Sequence, residues 1–592
     1  MLTHSQFSVL NRILAAASEP MTQRKLAEAV GISLGKTNAV LAELKSAGLI
    51  QDSLRITAAG IAALEPYRVK NAVIMAAGMS TRFAPLSYEK PKALLEVRGE
   101  LLIERQIRQL HEAGITEILL VVGYMKEKLF YLADKFGVEI FVNEDYYRFN
   151  NPSSLILVAD RLDNTYLCSS DNYFTENPFE PYVYRAYYSA EYAPGETEEY
   201  CLTCNQKDRI THVTIGGSAA WFMIGHAYFD REFSRNFARI LREEYAQPAT
   251  KTQLWEDLYI RHLPELALYI RRYDSAVIKE FDSLDELRDF DSRYLNNSDS
   301  GIFHNICRVL GCREQDIQGI RPINTGLTNT SFRFDCCGVA YVYRHPGVGT
   351  EAYINRESEA CSMQAAKELG LDDTFIFIDP KEGWKLSYFI EDAVMLDYHN
   401  PTQVEQALSL VRTLHGSGKT TPYPFDIWEK IRAFEDILQH AKRMDFEDAP
   451  AIREGISRLH RYADADGFEQ CLCHCDTYDP NFLIDKAGKM YLIDWEYSGM
   501  SDPACDLGTF LTCADYSTKD AEEIVARYLQ HAPTQRELRH YLAYAAVLSY
   551  YWFVWAIYQE SVGKAVGSYL YLWYCHTKEY SARALSLYEA EN

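Results

Sequence analysis

Two stretches of this sequence, and two isolated carboxylates, have the residue types and spacing for chemistry on phosphates. The denser stretch is Cys473-His-Cys-Asp476-Thr-Tyr-Asp-Pro-Asn481, which reads H-x-D-x-x-x-x-N, with Asp494 following at the end of the apolar run Tyr491-Leu-Ile. In that pattern Asp476 orients or deprotonates a substrate hydroxyl, while Asn481 and Asp494 hold a divalent cation on nucleotide phosphates. The second stretch is Val73-Ile-Met-Ala-Ala-Gly78, with Arg82 just beyond it and Pro91-Lys92 ten residues on. Ala76, Ala77 and Gly78 have almost no side chain, so backbone N–H groups can approach a bulky anion. Arg82 and Lys92 add fixed positive charge suited to a triphosphate. Asp171, at the end of the strand-like Tyr166-Leu-Cys-Ser-Ser, is placed to hold Mg²⁺ on those phosphates, with Asp282 as a candidate second ligand.

These residues need a scaffold, and the chain is long enough for several. At 592 residues it exceeds one hydrophobic core, and roughly three or four domains are expected. The 47% hydrophobic and 24% charged content is that of a globular protein, and the net charge of −23 argues against general binding to nucleic acid or an anionic membrane. The charge is uneven. Residues 1–70 carry eight Lys/Arg against five Asp/Glu, a net of +3, so the remainder carries −26. No secretory signal and no uncharged apolar run of about 18 residues is seen, so a cytoplasmic protein without membrane spans is expected. The aromatic run Tyr541 to Tyr558 reads as a buried helix. Fourteen cysteines then imply reduced thiols. Cys201-Leu-Thr-Cys204 lacks a convincing second pair, and the alternating cysteines around His474 lack a partner cluster, so zinc is not expected at either.

Residues 5–66 read as a winged helix-turn-helix. Phe7, Leu10, Ile13 and Leu14 recur at helical spacing, Met21 to Val30 makes a short helix, and Gly31-Ile-Ser33 is a turn capped by Ser33. Gly35 to Ala47 is the recognition helix, and Leu49 to Thr57 the wing. DNA is a candidate partner through residues 1–68, against a packing or dimerisation role, since the recognition helix has few basic residues and carries Glu43. From Ala72 the pattern becomes strand, helix, strand: Ile103 to Ala113 a helix, Glu117 to Val122 a strand, Lys126 to Phe136 a helix, Val138 to Asn143 a strand. That is an α/β unit with a parallel sheet, whose ligands bind at the carboxyl ends of the strands. After the polar linker Asn296 to Gly301, Asn324 to Asn329 and Ser331 to Phe334 form a turn between strands. Val339 to Arg344 is the next strand, and after the loop His345 to Thr350 a helix bears Glu357. A basic residue on a strand and a Glu on the next helix are the layout of a kinase N-lobe, with Arg344 in the lysine position and Glu357 as its ion-pair partner. The expected architecture is thus multidomain: a winged-helix head (1–68), a Rossmann-like nucleotidyltransferase unit (69–296), and a protein-kinase-like α+β unit (297–592).

Two resemblances sharpen this reading. Residues 70–295 resemble the CTP:phosphocholine cytidylyltransferases through Met75 to Gly78 with Arg82-Phe83, Val121-Val-Gly-Tyr124, Asn143-Glu144, Asn150-Asn151 with Ser154, Asp171, Leu254-Trp-Glu-Asp257 and Glu280-Phe-Asp282-Ser. The resemblance implies CTP on Ala76 to Gly78, Arg82 and Lys92, and Mg²⁺ on Asp171 and Asp282. Met79-Ser80 stands where relatives often have another glycine. A quaternary ammonium has no N–H to donate, so aromatic faces and carboxylates must recognise it. Trp255 and Glu256 are the candidates, with Trp221, Tyr228 and Phe229 behind them. Residues 302–592 resemble bacterial choline kinases through Gly326 to Asn329, Arg344 to Gly347 with Gly349-Thr350, Asn355-Arg-Glu357, His474 to Asn481 and Asp494-Trp-Glu496. Toward the end it adds Trp552-Phe-Val-Trp555 with Gln559 and Tyr571. This resemblance implies ATP at Asn329, Arg344 and Glu357, and choline at Glu496, Trp552, Trp555 and Tyr571; the three-residue spacing puts both tryptophans on one helix face.

Together the resemblances imply a fusion that phosphorylates choline with ATP, then transfers CMP from CTP to phosphocholine, with Mg²⁺ as cofactor. CDP-choline would then serve phosphocholine decoration of surface polymers. The same chemistry on ethanolamine or aminoethylphosphonate, and a choline-responsive DNA-binding regulator with enzyme-like sensor units, are the alternatives. Intact metal-ligand residues speak against the regulator.

Overall fold

The computed structural model describes residues 2–16, 21–323, 329–347, 354–441, 443–444, 446–561 and 566–590. The chain divides into two compact units, Met1–Ile302 and Phe303–Asn592.

The first unit opens with the helices His4–Ala15, Gln23–Val30, Leu34–Ser46 and Ala58–Leu64. Ser33 caps the third helix by accepting from the Lys36 amide, and Gly31 ends the second with φ 70°, a left-handed conformation that glycine adopts without strain. A bridge between Ile50 and Ile56 makes the wing. Phe7, Leu10, Ile13, Leu26, Leu41 and Leu44 form the small core, as the helical spacing predicts, and Tyr67 and Tyr182 complete it. Tyr182 and its neighbour Tyr184 belong to the following α/β layer. The Tyr184 ring stacks on Tyr67 at 5.5 Å and touches Phe7 at 5.4 Å, so the head is packed onto that layer by aromatic contacts.

The α/β layer is a seven-stranded sheet in the order Tyr269–Arg272, Tyr187–Cys204, Ile210–Phe229, Thr165–Ser169, Asn71–Ala76, Ile118–Val122, Glu139–Val142. Asn71–Ala76 runs parallel to both neighbours, which explains its continuous apolar sequence. The predicted helix Lys126 to Phe136 is two pieces, a 3₁₀ turn Lys126–Leu129 and the helix Tyr131–Phe136. The sheet is not parallel throughout. Tyr187–Cys204 and Ile210–Phe229 form a long antiparallel hairpin interrupted by register shifts, and its second strand pairs antiparallel with Thr165–Ser169. A separate two-stranded ribbon joins Asn172–Phe174 to Ile278–Glu280 and so draws the end of the unit back to Asp171.

The second unit is a five-stranded antiparallel sheet, ordered Ile317–Ile323, Thr330–Cys336, Val339–His345, Lys385–Tyr388, Phe375–Ile378, with the helix Arg356–Glu368. A helical lobe follows, centred on the 27-residue helix Gln535–Ser561, which contains the aromatic run and is buried along most of its length. Among the described residues no helix is long and apolar enough to cross a membrane. Gly326 to Thr328 and Gly349-Thr350, two of the resemblance motifs, lie outside the described residues.

Candidate functional sites

In the first unit the strand Asn71–Ala76 delivers Ala76, Ala77 and Gly78 to the carboxyl edge of the sheet. A pocket of ≈ 100 Å³ there is lined by Ala76, Gly78, Ser80, Lys92, Ser170 and Asp171 among others, so the fold brings the loop, the lysine and the strand-end aspartate together. A Cβ at Gly78 would meet nothing within 4 Å, which leaves the backbone approachable from the pocket. Gly123 has the opposite reason for being glycine. A Cβ there would lie 2.8 Å from the Ala77 carbonyl and 2.7 Å from Tyr146, and its absence lets the Tyr124 amide donate to Ala77 O at 3.0 Å.

Lys92 is buried, with Nζ 2.9 Å from Asp171 Oδ2, while Asp171 Oδ1 is buried without a hydrogen-bond partner. Arg82 is 80% exposed at its side chain and reaches Asp282 at 3.1 Å. Glu280, a residue inside a matched motif that sequence reasoning did not assign, feels the charge of both aspartates. It accepts from Asn172 Nδ2 at 3.2 Å, and although its side chain reaches the surface, desolvation within the acidic cluster and the nearby Asp171 charge push its carboxyl up to about 8, offset only in part by Lys92. Glu199 of the long hairpin is also raised, by burial and then by Asp282. Carboxylates this crowded, one with an unpaired buried oxygen, fit a divalent cation.

The head-group candidates near this site need correction. Trp255 is not an open aromatic face. It is buried in the core, stacked on Tyr188 at 5.6 Å and 9° and edged by Phe229 and Phe237. Tyr228 and Phe229 are likewise core, and Trp221 lies on the hairpin against Tyr192 and Arg272. Glu256 stays a candidate as a buried carboxylate: it accepts from Tyr188 Oη at 3.0 Å, its other oxygen is unpaired, and burial lifts it to about 7. Tyr188, whose hydroxyl feels both Glu256 and Glu280, connects it to the acidic cluster, and nothing in its local sequence signalled this.

In the second unit, backbone N–H groups of His474 and Cys475 donate to the buried Asp506, which fixes the loop that presents Asp476. Asn481 Nδ2 donates to Asp476 Oδ2 at 2.9 Å and to its carbonyl at 2.8 Å, leaving Asp476 Oδ1 buried and unpaired. Burial, then the charges of Asp494 and Glu496, raises Asp476 well above the usual carboxylate range. Asp494 has φ 65° and is 3.2 Å from Lys385 Nζ and 3.5 Å from Arg344. Against the effect of burial, those two cations hold it ionised below its ordinary value. An unpaired oxygen on Asp476 beside a second ionised aspartate also fits a divalent cation.

Arg344 is paired, but not with Glu357. Its guanidinium forks onto Glu359 at 2.5 and 2.9 Å, whereas Glu357 is exposed and accepts from Tyr423 Oη. Residues two apart on a helix point about 200° away from each other, so only one of the two glutamates can face the sheet. Burial would raise Glu359, yet Arg344, Lys385 and Arg356 together hold it near 2. Lys385, opposite Arg344 in the strand register, is a cation that sequence reasoning missed because it lies on a different strand. Asn329 donates to Glu496 Oε2 at 2.8 Å and accepts from Arg356, so both expected residues join this network.

Trp552 and Trp555 meet edge-on at 5.4 Å, as their spacing predicts. Trp573 packs against both at 5.9 and 6.3 Å, backed by Tyr569; the three tryptophans are also nearly buried, and their place near the Asp476 loop is what keeps them candidates where Trp255 is not. Tyr571, expected there, is 72% exposed on the opposite side of its helix. Tyr497, three residues after Asp494, closes on Trp552 at 6.4 Å, and Asp479 raises the Tyr569 hydroxyl after burial does, so the cage adjoins the catalytic loop. A larger cavity of ≈ 720 Å³, lined by Trp428, Glu435, Arg453 and His460 among others, shares no residue with either constellation.

The chain is similar to known proteins along most of its length. Family models match at residues 12–79 (wHTH-PRTase associated), 72–188 (MobA-like NTP transferase domain) and 375–541 (phosphotransferase enzyme family). A 2-aminoethylphosphonate cytidylyltransferase of Lancefieldella rimae is 34% identical over 38% of this chain and 93% of its own length. A choline-phosphate cytidylyltransferase of Streptococcus pneumoniae is 32% identical over 37% of this chain and 95% of its own. The solved structure of a choline kinase, LicA, from the same organism is 25% identical, covering 48% of this chain and 98% of that one, with a TM-score of 0.42.

Proposed function

The chain belongs to the family of 2-aminoethylphosphonate and choline-phosphate cytidylyltransferases, and from that premise we propose that it makes CDP-choline in two steps. The observation that carries the choline assignment is the cage of Trp552, Trp555 and Trp573 beside the H-x-D-x-x-x-x-N loop, within a phosphotransferase-family unit. Three aromatic faces suit a quaternary ammonium, which cannot donate hydrogen bonds.

In the second unit the choline hydroxyl oxygen attacks the γ-phosphorus of ATP, the bond to ADP breaks, and the hydroxyl proton passes toward Asp476. The unpaired Oδ1 and raised proton affinity of Asp476 suit it to receive that proton, while Asn481 holds the other oxygen. Asn481 and Asp494 would hold Mg²⁺, which supplies charge neutralisation on the phosphates. Glu359 keeps Arg344 fixed, and Lys385 and Arg344 face the phosphates alongside Asp494.

In the first unit a phosphocholine oxygen attacks the α-phosphorus of CTP, and the bond to the departing pyrophosphate breaks. Gly78 and its neighbours bind the phosphates by backbone, and Lys92 and Arg82 oppose their charge. Asp171 and Asp282 would hold Mg²⁺ here, with Glu280 beside them.

ATP and CTP as donors, together with fourteen free cysteines, support a cytoplasmic setting. For residues 1–68 a packing role is supported by the Tyr67–Tyr184 and Phe7–Tyr184 contacts. DNA contact is the competing role, which a gel-shift assay with the gene's own upstream DNA decides. The activity itself is tested by incubating the full chain with ATP, CTP, Mg²⁺ and, in separate reactions, choline, ethanolamine or 2-aminoethylphosphonate. CDP-choline as the preferred product supports the reading, and a cytidylylated primary amine formed faster refutes the choline assignment.

A further inference from the structure

The cysteines around His474 have no partner cluster nearby in sequence, but the fold brings one. His415, at the end of the helix Pro401–His415, comes to the strand Cys471–Cys473 so that its imidazole and the two thiols lie within 4.8 Å of one another. His474 itself takes no part, since its Nε2 bonds the Ile493 carbonyl and its ring packs on Trp495. Cys471 Sγ and Cys473 Sγ are 3.6 Å apart. Two sulfurs each 2.3 Å from a tetrahedral zinc would be separated by about 3.8 Å, so the thiols already stand near ligand spacing. His415 is oriented in the way metal-binding imidazoles are: Nε2 lies 2.8 Å from Asp506 Oδ2, a fully buried carboxylate that is itself fixed by two backbone N–H groups. Nδ1 meets the Tyr528 hydroxyl at 2.7 Å, and Cys473 Sγ donates to the Ser501 and Asp502 carbonyls at 3.6 and 3.5 Å, so these are the partners a metal would have to replace. Cys471 is only partly buried, which gives a route in from solvent.

We infer that His415, Cys471 and Cys473 form a binding site for a soft divalent metal ion of the zinc type. It would tie the strand that leads into the catalytic loop to the helix behind it. Binding converts both thiols to thiolates, their two protons pass to solvent, and imidazole Nδ1 exchanges the Tyr528 hydroxyl for the metal while Asp506 keeps Nε2. The ligand set selects against Mg²⁺, which prefers oxygen, so this site is chemically separate from the phosphate-side cations.

The test uses the full chain, freed of metal by chelator and titrated with Co²⁺ alone. One Co²⁺ per chain should produce thiolate-to-cobalt charge-transfer absorption that Zn²⁺ bleaches. The band should vanish in Cys471→Ser and His415→Ala and persist in Cys337→Ser, an exposed thiol elsewhere. Because those two variants could fold poorly, alkylation of the wild-type chain gives a second readout: Zn²⁺ should protect Cys471 from iodoacetamide at least tenfold, and Mg²⁺ should not. Absence of the band from the wild type, its survival in Cys471→Ser, or equal alkylation with and without Zn²⁺ would overturn the inference and leave the cluster as buried thiols.

Discussion

Glu280→Gln should separate stability from activity in the first unit. In the folded chain the Glu280 carboxyl is pushed up to about 8, whereas the unfolded side chain releases its proton near 4.5, the ordinary glutamate value. Folding therefore takes up a proton across that window, and stability falls as pH rises through it. Because the Glu280 side chain reaches solvent, screening cuts the ~1.4 kcal/mol per unit of a fully buried group, and the loss between pH 4.5 and pH 7 comes to about 1 kcal/mol. Because Asp171 is the nearest charge raising it, the proton belongs to the pair, and the figure is the pair's. Glutamine cannot ionise, so in chelator the variant should gain on the wild type by about 1 kcal/mol between pH 4.5 and pH 7. Urea unfolding at a series of pH values, read on the transition of the unit that contains Glu280, measures this directly. Adding a divalent cation should close the gap, since the cation then takes the place of the proton. CMP transfer by the variant should fall at least tenfold while choline phosphorylation is unchanged. A stability difference that stays flat from pH 4.5 to pH 7 would refute the reasoning, as would full CMP transfer by the variant.

Three further outcomes follow from the geometry. Trp573→Ala should raise the KM for choline about ten- to thirtyfold, the loss of one desolvated cation–π face, while Tyr571→Ala changes it less than about twofold; steady-state kinase kinetics compare them. Glu359→Gln should cost about 3 kcal/mol of stability by removing the carboxylate that forks onto buried Arg344 and leaving it only the longer contacts to Asp494 and Glu496 and the Gly383 carbonyl, and should slow phosphorylation, whereas Glu357→Gln stays within about 0.5 kcal/mol; denaturation and ADP release report both. Gly123→Ala should force Tyr146 and the Ala77 carbonyl apart, costing about 1–3 kcal/mol and raising the KM for CTP without touching the kinase step.

Much of both sites was legible where the chemistry is local. The loop at Ala76 to Gly78, the Asp476–Asn481 hydrogen bonds and the edge-on pair Trp552–Trp555 depend on residues close together in the chain, so spacing alone predicts their geometry. What failed to show depends on which way a helix or strand turns. Glu357 and Glu359 are equivalent by type, and only the packing of the helix Arg356–Glu368 against the sheet decides between them. Tyr571 and Trp573 lie in one aromatic run, and rotation about the helix Tyr569–Glu589 buries the second while exposing the first. Trp255 was read as a binding face because of its neighbours in sequence, yet Tyr188 from the distant hairpin takes its flat side. That hairpin itself left no periodic signal strong enough to read, because its register shifts break the two-residue alternation. Lys385 and Glu280 enter their sites across strand pairings that no local pattern announces.

The central claim is that two separate centres on one chain carry consecutive steps, and one experiment tests it most directly. Labelled choline with ATP, CTP and Mg²⁺ is given to the wild type, Asp476→Ala and Asp171→Ala, and phosphocholine and CDP-choline are quantified over time. The account predicts that Asp476→Ala makes neither product from choline but still makes CDP-choline from added phosphocholine. It predicts that Asp171→Ala accumulates phosphocholine and makes no CDP-choline. If both variants retain both half-reactions, or if either one loses both, the assignment of the two steps to these two centres is contradicted.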